Sequence, residues 1–370
     1  MISLDLRKSI FAKVYYRKTN MKSLETKGFI FLLCFTLGSF SVISQNIPKT
    51  HVAYKAIDIL EIDGKDTEAS WQNASWSDSY IDIEGEKKPT YDTKMKMIWD
   101  ESYLYVFAKM EEPHVWGALK ERDTIIFYNN DFEIFIDPDG DTHNYYEFEM
   151  NTLNTVWDLF LSKPYRNGAE ILGGWDFKGL KSAVSIQGTL NNSNDVDKGW
   201  QVEIAIPWSF KTHPGAKTIV PTNEYWRMNF SRVNWDFDLE NGKYGRAKDI
   251  KTGKYKPEYN WVWSPQGVIN MHEPEHWGYV YFSEKKVGET DSFEIPKDEH
   301  IKWYLYELFR KQLKSDQILS TDLTPKIILN ETISPKLETH SFGWTIWVKS
   351  PFTNQILSIT KDGKFEVRAE

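Results

Sequence analysis

The sequence predicts a mainly β protein, an antiparallel, jelly-roll-like sandwich followed by a C-terminal helix and a small β appendage. Three observations predict it. Short strand-like runs separated by Gly, Pro, Asn and Asp follow one another from His51 to about Ser283, and no helical period is sustained among them. After Phe282 the character changes and a single amphipathic segment appears. The 370 residues include 16 Trp, 19 Tyr and 21 Phe, enough to fill a large core and leave some aromatic rings for a surface. The net charge of -8 is spread without a basic cluster, which argues against a nucleic-acid partner.

Residues 1–44 read as an upstream segment and a secretory signal peptide. Met21, Lys22 and Lys27 precede an apolar run from Phe29 through Leu37, and Val42 and Ser44 fit the small-residue rule for cleavage after Ser44. The run is short for a membrane span, so the mature chain from Gln45 is expected to have no transmembrane segment and to be secreted, periplasmic or held at the cell surface. Cys34, the single cysteine, follows Leu33 where a lipoprotein signal has a small residue, which argues against lipidation. A mature chain without cysteine has no disulfide, thiolate nucleophile or cysteine metal site.

Residues 45–283 form the expected sandwich. Its strands read as Ala53 to Ile59, Lys94 to Trp99, Tyr103 to Met110, a hairpin, Thr155 to Ser162, Leu180 to Leu190, Gly199 to Ile206, Tyr225 to Val233 and Gly278 to Phe282. Leu104 to Ala108 reads as a buried central strand. Trp200, Val202, Ile204 and Ile206 point inward, with Gln201, Glu203 and Ala205 outward. The hairpin is the most informative stretch. Phe132, Ile134 and Ile136 alternate with Glu133, Phe135 and Asp137, and Tyr146, Phe148 and Met150 alternate with Tyr145, Glu147, Glu149 and Asn151. Pro138, Asp139, Gly140 and Asp141 supply the reversal between the two strands. Two long loops, Glu111 to Tyr128 and Asn234 to Gln266, are rich in aromatics and are expected to be ordered and to build a site. Residues 284–370 form the appendage: a helix opened by Pro296, Asp298 and Glu299, with Ile301, Tyr304, Leu305, Leu308, Phe309 and Gln312 at helical spacing, then strands at Trp344 to Lys349 and Ile356 to Thr360.

Several motifs in order carry a resemblance. They are Glu61-Ile62-Asp63-Gly64 with Trp71 and Trp76, Trp99-Asp100 with Leu104-Tyr105, and Asn130 through Asp137. Gly199-Trp200, Glu203 and Ile206-Pro207-Trp208 follow, then Trp226 through Arg232, Trp261 through Gln266, and His276-Trp277-Gly278. Together, over roughly residues 50 to 283, they resemble the family 9 carbohydrate-binding modules, and within that family the stand-alone secreted bacterial proteins. The resemblance implies a β-sandwich that holds a terminal sugar between two tryptophans, with charged and amide side chains on its hydroxyls and calcium as a structural ion. By that resemblance Glu133 matches an acidic sugar contact and Asn151 an amide contact. Glu149 stands where the family pattern has a basic residue. The two tryptophans fall near Phe127 or Tyr128 and near Met271 or His272.

A pyranose offers an apolar C–H face and an edge of hydroxyls, so its binding calls for flat aromatic surface and planar hydrogen-bonding groups. Candidate stackers are Tyr128, Tyr145, Trp157 and Trp263; candidate hydroxyl partners are Arg122, Glu133, Glu149, Asn151 and His272, with Met271 beside the last. The ordinary alternative is core packing for Phe127 and Trp157 and an ion pair from Glu149 to Arg122 or Arg232. Asp137, Asp139 and Asp141 invite a calcium reading, although Thr142 and Phe148 stand where an EF-hand has its glycine and closing glutamate. The expected partner is a mono-, oligo- or polysaccharide, and the expected role is sugar capture in polysaccharide catabolism. Two other readings remain: a glycoside hydrolase using Glu133 and Glu149 as paired carboxylates, and a protein-contact or haem-binding sandwich with an axial ligand at Met271-His272.

Overall fold

The computed structural model describes residues 47–169, 171–211, 220–314 and 323–369. The expected signal peptide, its cleavage site and Cys34 lie outside these residues. Backbone hydrogen bonding sets the architecture. The strands β1 (Thr50–Lys55), β2 (Thr93–Trp99), β3 (Tyr103–Glu111), β4 (Asp131–Asp137), β5 (Tyr145–Asn151), β6 (Val156–Leu161), β7 (Lys181–Gln187), β8 (Gly199–Pro207), β9 (Tyr225–Asn234), β10 (Tyr259–Val262) and β11 (Gly278–Lys286) join in one continuous ladder. Their order is β6-β5-β4-β9-β11-β1-β2-β3-β8-β7, with β10 beside β9. The pairs are antiparallel except those of β1, which runs parallel to both β11 and β2. Apolar residues from both halves of this ladder share one core: Met95, Val106 and Val202 from one, Phe132, Phe148 and Phe230 from the other. The ladder therefore closes over as a sandwich hinged at β1. Trp99 secures the hinge, its Nε1 donating to the carbonyls of Ala53 and Ser283 at 3.0 Å each.

The sequence places β2, β3, β4, β5, β6, β8 and β9 within a residue or two, but β7 stops at Gln187 instead of Leu190, β11 runs on to Lys286 instead of Phe282, β10 lies inside the segment 234–266 that was expected to be a loop, and the remaining strand, β1, is displaced toward the N-terminus. It begins at Thr50 and ends at Lys55 because Asp58 leaves the ladder to accept hydrogen bonds from Ala69 N at 2.9 Å and Ser70 N at 3.1 Å, at the start of a short helix, α1 (Ala69–Asn73). β3 lies between β2 and β8 and is buried, as expected. β8 points Trp200, Val202, Ile204 and Ile206 into the core. Its other face is also covered. Ala205 packs with Trp71 and Phe107, and Glu203 accepts from Trp71 Nε1 at 2.8 Å, Gly64 N at 2.9 Å and Asp63 N at 3.0 Å. The motif residues Asp63, Gly64, Trp71 and Glu203 thus form one structural hub.

The appendage is built on α2 (Lys297–Leu313), which follows Pro296 and carries acidic residues in its first turn and Arg310 and Lys311 in its last, complementing the helix dipole. Ile301, Tyr304, Leu305, Leu308 and Phe309 pack on a four-stranded sheet of β12 (Lys336–His340), β13 (Gly343–Lys349), β14 (Ile356–Thr360) and β15 (Phe365–Arg368). Polar residues join α2 to the sandwich. Glu299 accepts from Tyr279 OH at 2.7 Å and Tyr225 OH at 3.2 Å and lies 3.5 Å from both Arg227 and Lys302. Arg227, 1 % exposed, also donates to the Glu275 carbonyl at 2.8 Å and to Tyr279 OH at 2.9 Å. Arg310 pairs with Glu275 at 2.6 Å.

Glu299→Ala leaves Arg227 and Lys302 buried without their carboxylate and should cost about 3–5 kcal/mol in a denaturant melt; a change under about 1 kcal/mol would show that the carbonyl and hydroxyl acceptors suffice. Burial, opposed by the Trp71, Gly64 and Asp63 donors, pushes the Glu203 carboxyl up to about 7. A raised carboxyl stabilises the fold fully below its unfolded value and loses that contribution as pH rises through the folded one. Between pH 4.5 and 7, wild type should therefore lose stability relative to Glu203→Gln by on the order of 3 kcal/mol, and parallel curves would refute the shift.

Candidate functional site

The alternation of β4 and β5 gives the hairpin two chemically opposite faces, and both are buried. Phe132, Ile134, Ile136, Phe148 and Met150 enter the sandwich core. On the other face the ladder pairs Glu133 with Glu149 and Asp131 with Asn151, and Glu147 stands opposite Phe135. β6 adds Trp157 beside Glu149 and Leu159 beside Glu147, and β9 adds Ser231 beside Glu133 and Asn229 beside Phe135. Carboxylate oxygens of Asp131, Glu133 and Glu149 lie within 4.8 Å of one another. Two loops cover this face. The turn Ile126–Tyr128 closes one side, with Phe127 N donating to Glu149 at 3.0 Å. Met271, His272 and Trp277 pack on the other side with Phe135, Tyr145, Trp157, Leu159 and Tyr165.

Desolvation dominates the electrostatics. Burial pushes the Glu133 carboxyl up to about 7. Burial, and then the charge of Glu133, raises Asp131 and Glu147; burial, and then Glu147, Asp131 and Glu133, raises Glu149. Protonated in part, such a group both donates and accepts.

The expected site residues divide. Glu133, Glu149 and Trp157 meet on this face, Trp157 partly buried with its Nε1 donating to the Gly173 carbonyl at 3.3 Å. Tyr128 stands 40 % exposed at the rim, its ring covered by the Arg246 guanidinium at 4.0 Å. Asn151 reaches the same face, but its amide holds its own turn, donating to the Leu119 carbonyl at 2.8 Å and accepting from Leu153 N at 2.9 Å and Thr155 N at 3.1 Å. Tyr145 is no stacking platform, because it is fully buried with its hydroxyl 2.8 Å from His272 Nδ1. His272 is wedged between Phe135 and Tyr165, where burial lowers its pKa to about 3 and keeps it neutral. Trp263 is likewise core. It is 2 % exposed against Phe230 and crosses so close to Gly278 that a Cβ there would stand 2.2 Å from the ring. Arg122 lies on the opposite face and pairs with Asp158 and Asp176, while Arg232 pairs with Glu112 at 2.9 Å, so Glu149 pairs with neither arginine. Asp131, Glu147, Asn229 and Ser231 belong to the site although their residue types did not single them out. The period of two already placed Asp131 and Glu147 on this face.

Residues 62–261 match the profile of the family described as "Carbohydrate family 9 binding domain-like". The chain belongs to this family. The chain is 29 % identical to endo-1,4-beta-xylanase A of Thermoanaerobacterium saccharolyticum over 43 % of its own length and 12 % of that protein's. It is 29 % identical to exoglucanase XynX of Acetivibrio thermocellus over 31 % of this chain and 9 % of that protein. The chain therefore spans only about a tenth of the length of these relatives. A solved family 9 carbohydrate-binding module from Caldicellulosiruptor kristjanssonii, in complex with cellotriose, shares 14 % identity over 66 % of this chain and all of that one, with a TM-score of 0.40.

The calcium reading at the family 9 hairpin turn meets competition. Asp137, Asp139 and Asp141 do bring oxygens within 4.8 Å of one another. Asp137, however, accepts from Gly140 N at 3.0 Å and Thr142 N at 2.9 Å, the Lys302 ammonium lies against Gly140, and Lys364 stands 3.7 Å from Asp141. The turn also docks the appendage, through Thr142 Oγ1 to the Gly363 carbonyl at 3.0 Å and Tyr306 OH to the Asp141 carbonyl at 3.1 Å. The residues of the axial-ligand reading are occupied within the protein: His272 Nδ1 lies 2.8 Å from Tyr145 OH and its Nε2 3.9 Å from Glu147, and Met271 Sδ faces Asn229 Nδ2 at 3.3 Å. The contrast between the two tryptophans is measurable: Trp263→Ala should cost about 3–5 kcal/mol in thermal or denaturant unfolding, and partly buried Trp157→Ala clearly less. Equal losses would place Trp157 in the core proper.

Proposed function

We propose that this chain is a non-catalytic carbohydrate-binding protein, secreted and serving polysaccharide breakdown, and that the outer face of β4 and β5 is its sugar site. One observation carries the reading: in a family 9 domain, Glu133 and Glu149 pair across the ladder with Trp157 alongside and the Phe127–Tyr128 turn above. Sugar hydroxyls would donate to the carboxylates and a pyranose face would rest on the flat ring of Trp157. The acidic floor favours neutral or amino sugars over uronates, which would bring a further negative charge into a desolvated site. Catalysis is the weaker reading. A glycosidase needs one carboxyl kept protonated and its partner kept ionised, whereas burial raises both Glu133 and Glu149 here.

The test is calorimetric titration of the chain from residue 45 with neutral oligosaccharides, amino sugars and uronates. Saturable heat with neutral or amino sugars is expected, reduced at least about tenfold in affinity, or 1.4 kcal/mol, by Glu133→Ala and by Trp157→Ala. Silence toward every sugar, or the slow continuous heat of hydrolysis, overturns the reading.

A further inference from the structure

Four acidic groupings bring three ligand atoms within 4.8 Å of one another among the described residues, and their surroundings separate them. Asp123, Asp158 and Asp176 share Arg122. Glu273, Glu275 and His276 have Arg310, at 3.7 Å from Glu273 and 2.6 Å from Glu275. The turn Asp137, Asp139 and Asp141 has Lys302 and Lys364. In each of these three the fold supplies the positive charge. Asp131, Glu133 and Glu149 are more deeply buried, at 0 %, 5 % and 2 % exposure, and no lysine or arginine among the described residues pairs with them. The fourth carboxylate of this face, Glu147, adds to the same unbalanced charge. A second observation lies on the neighbouring strand. Ser231, fully buried and paired with Glu133 on the same face, brings its hydroxyl close enough to favour the ionised carboxylate yet forms no hydrogen bond of proper geometry. One oxygen of Asp131 is likewise without a partner. Uncompensated buried charge costs several kcal/mol per ion, and it is offset either by protonation of these carboxyls or by a cation from outside the chain.

We propose that Asp131, Glu133 and Glu149, with the Ser231 hydroxyl beside them, bind a divalent cation of the calcium class, and that adjacent hydroxyls of a bound sugar complete its oxygen shell. The donor set is all oxygen, which suits a hard cation and not zinc or copper. Three carboxylates and one hydroxyl leave part of a six- to eight-oxygen shell open, and a vicinal diol offers two neutral oxygens at a spacing that can fill it. The sugar half of this proposal rests on the carbohydrate reading above; the cation half does not.

The experiment begins with protein stripped by a chelator. Calcium is titrated calorimetrically, terbium is titrated with tryptophan excitation, and melting is followed in both states. Wild type should bind one calcium, sensitise terbium through Trp157 on the adjoining strand, and melt several degrees higher with calcium than without. Glu149→Gln and Asp131→Asn should each weaken cation binding at least about tenfold, while Asp139→Asn at the hairpin turn leaves it unchanged. In chelator, Glu149→Gln should melt above wild type, because one of four crowded carboxylates has been neutralised; this keeps the test informative even when cation binding is lost. Absence of calcium binding at 1 mM, a figure on the order of the weakest extracellular calcium sites, or equal binding by Glu149→Gln, overturns the site. Sugar titrations are then repeated with calcium and with chelator. Sugar affinity that is lost with chelator supports the bridge, and affinity indifferent to chelator overturns it. Calcium binding without sugar binding supports the cation site and overturns the carbohydrate reading instead.

Discussion

The structure depends on one constraint: the β4–β5 hairpin is buried on both faces, although its sequence alternates apolar and charged residues. An antiparallel sheet with that alternation ordinarily leaves its polar face in water. Here the loops of 111–128 and 263–277 close over the polar face, and the aromatics Tyr145, Trp277 and Tyr165 fill in beside it. The carboxylates are thereby held in a desolvated layer only a few ångströms from an apolar one. Everything distinctive about the site follows from this: the raised carboxyls, the neutral histidine and the unpartnered hydroxyl of Ser231.

Elsewhere the fold handles buried charge in a uniform way. Glu203 is met by an indole and two backbone amides, Arg232 by Glu112, Thr93 and a carbonyl, and Arg227 by Glu299 and two carbonyls. Charge-assisted bonds of this kind carry geometry as well as energy. They make Asp63, Gly64, Trp71 and Glu203 a clasp that fastens the chain before β2 onto the outer face of β8. The ladder and its clasps form the frame, and the polar hairpin face is the place where the frame leaves charge unmatched.

Much of this was legible in the residues. The period of two gave most of the strands and the faces of β4, β5 and β8, because that period is imposed locally by the pleat, and Pro138, Asp139, Gly140 and Asp141 marked the hairpin turn. The helix start at Pro296 and its apolar stripe are local in the same sense. What could not be read locally was which face a distant loop would cover. Trp263 and Tyr145 look like free aromatic surface in sequence, yet Trp263 is drawn into the core by its passage over Gly278, and Tyr145 by the His272 loop arriving 127 residues later. Arg122 follows the same logic. Its partner was expected on the face of Glu149, but the loop delivers it to Asp158, one strand residue away and on the opposite side of the sheet. The acidic turn gave no sign that it would become the seat of the appendage, since its partners Tyr306 and Gly363 are more than 160 residues away.

The parallel contact of β1 with β11 has a consequence for how the protein is made. Thr50 pairs with Tyr279, so the strand that hinges the two halves has its long-range neighbour only after almost the whole sandwich has been synthesised. At about 5–20 residues per second, a ribosome takes roughly ten to fifty seconds to cover that interval. Throughout it the earlier strands exist with open edges and an unsealed core, a state that favours capture by chaperones over premature closure. Final closure is thus set by the emergence of the segment that ends the sandwich, not by the order in which its strands begin.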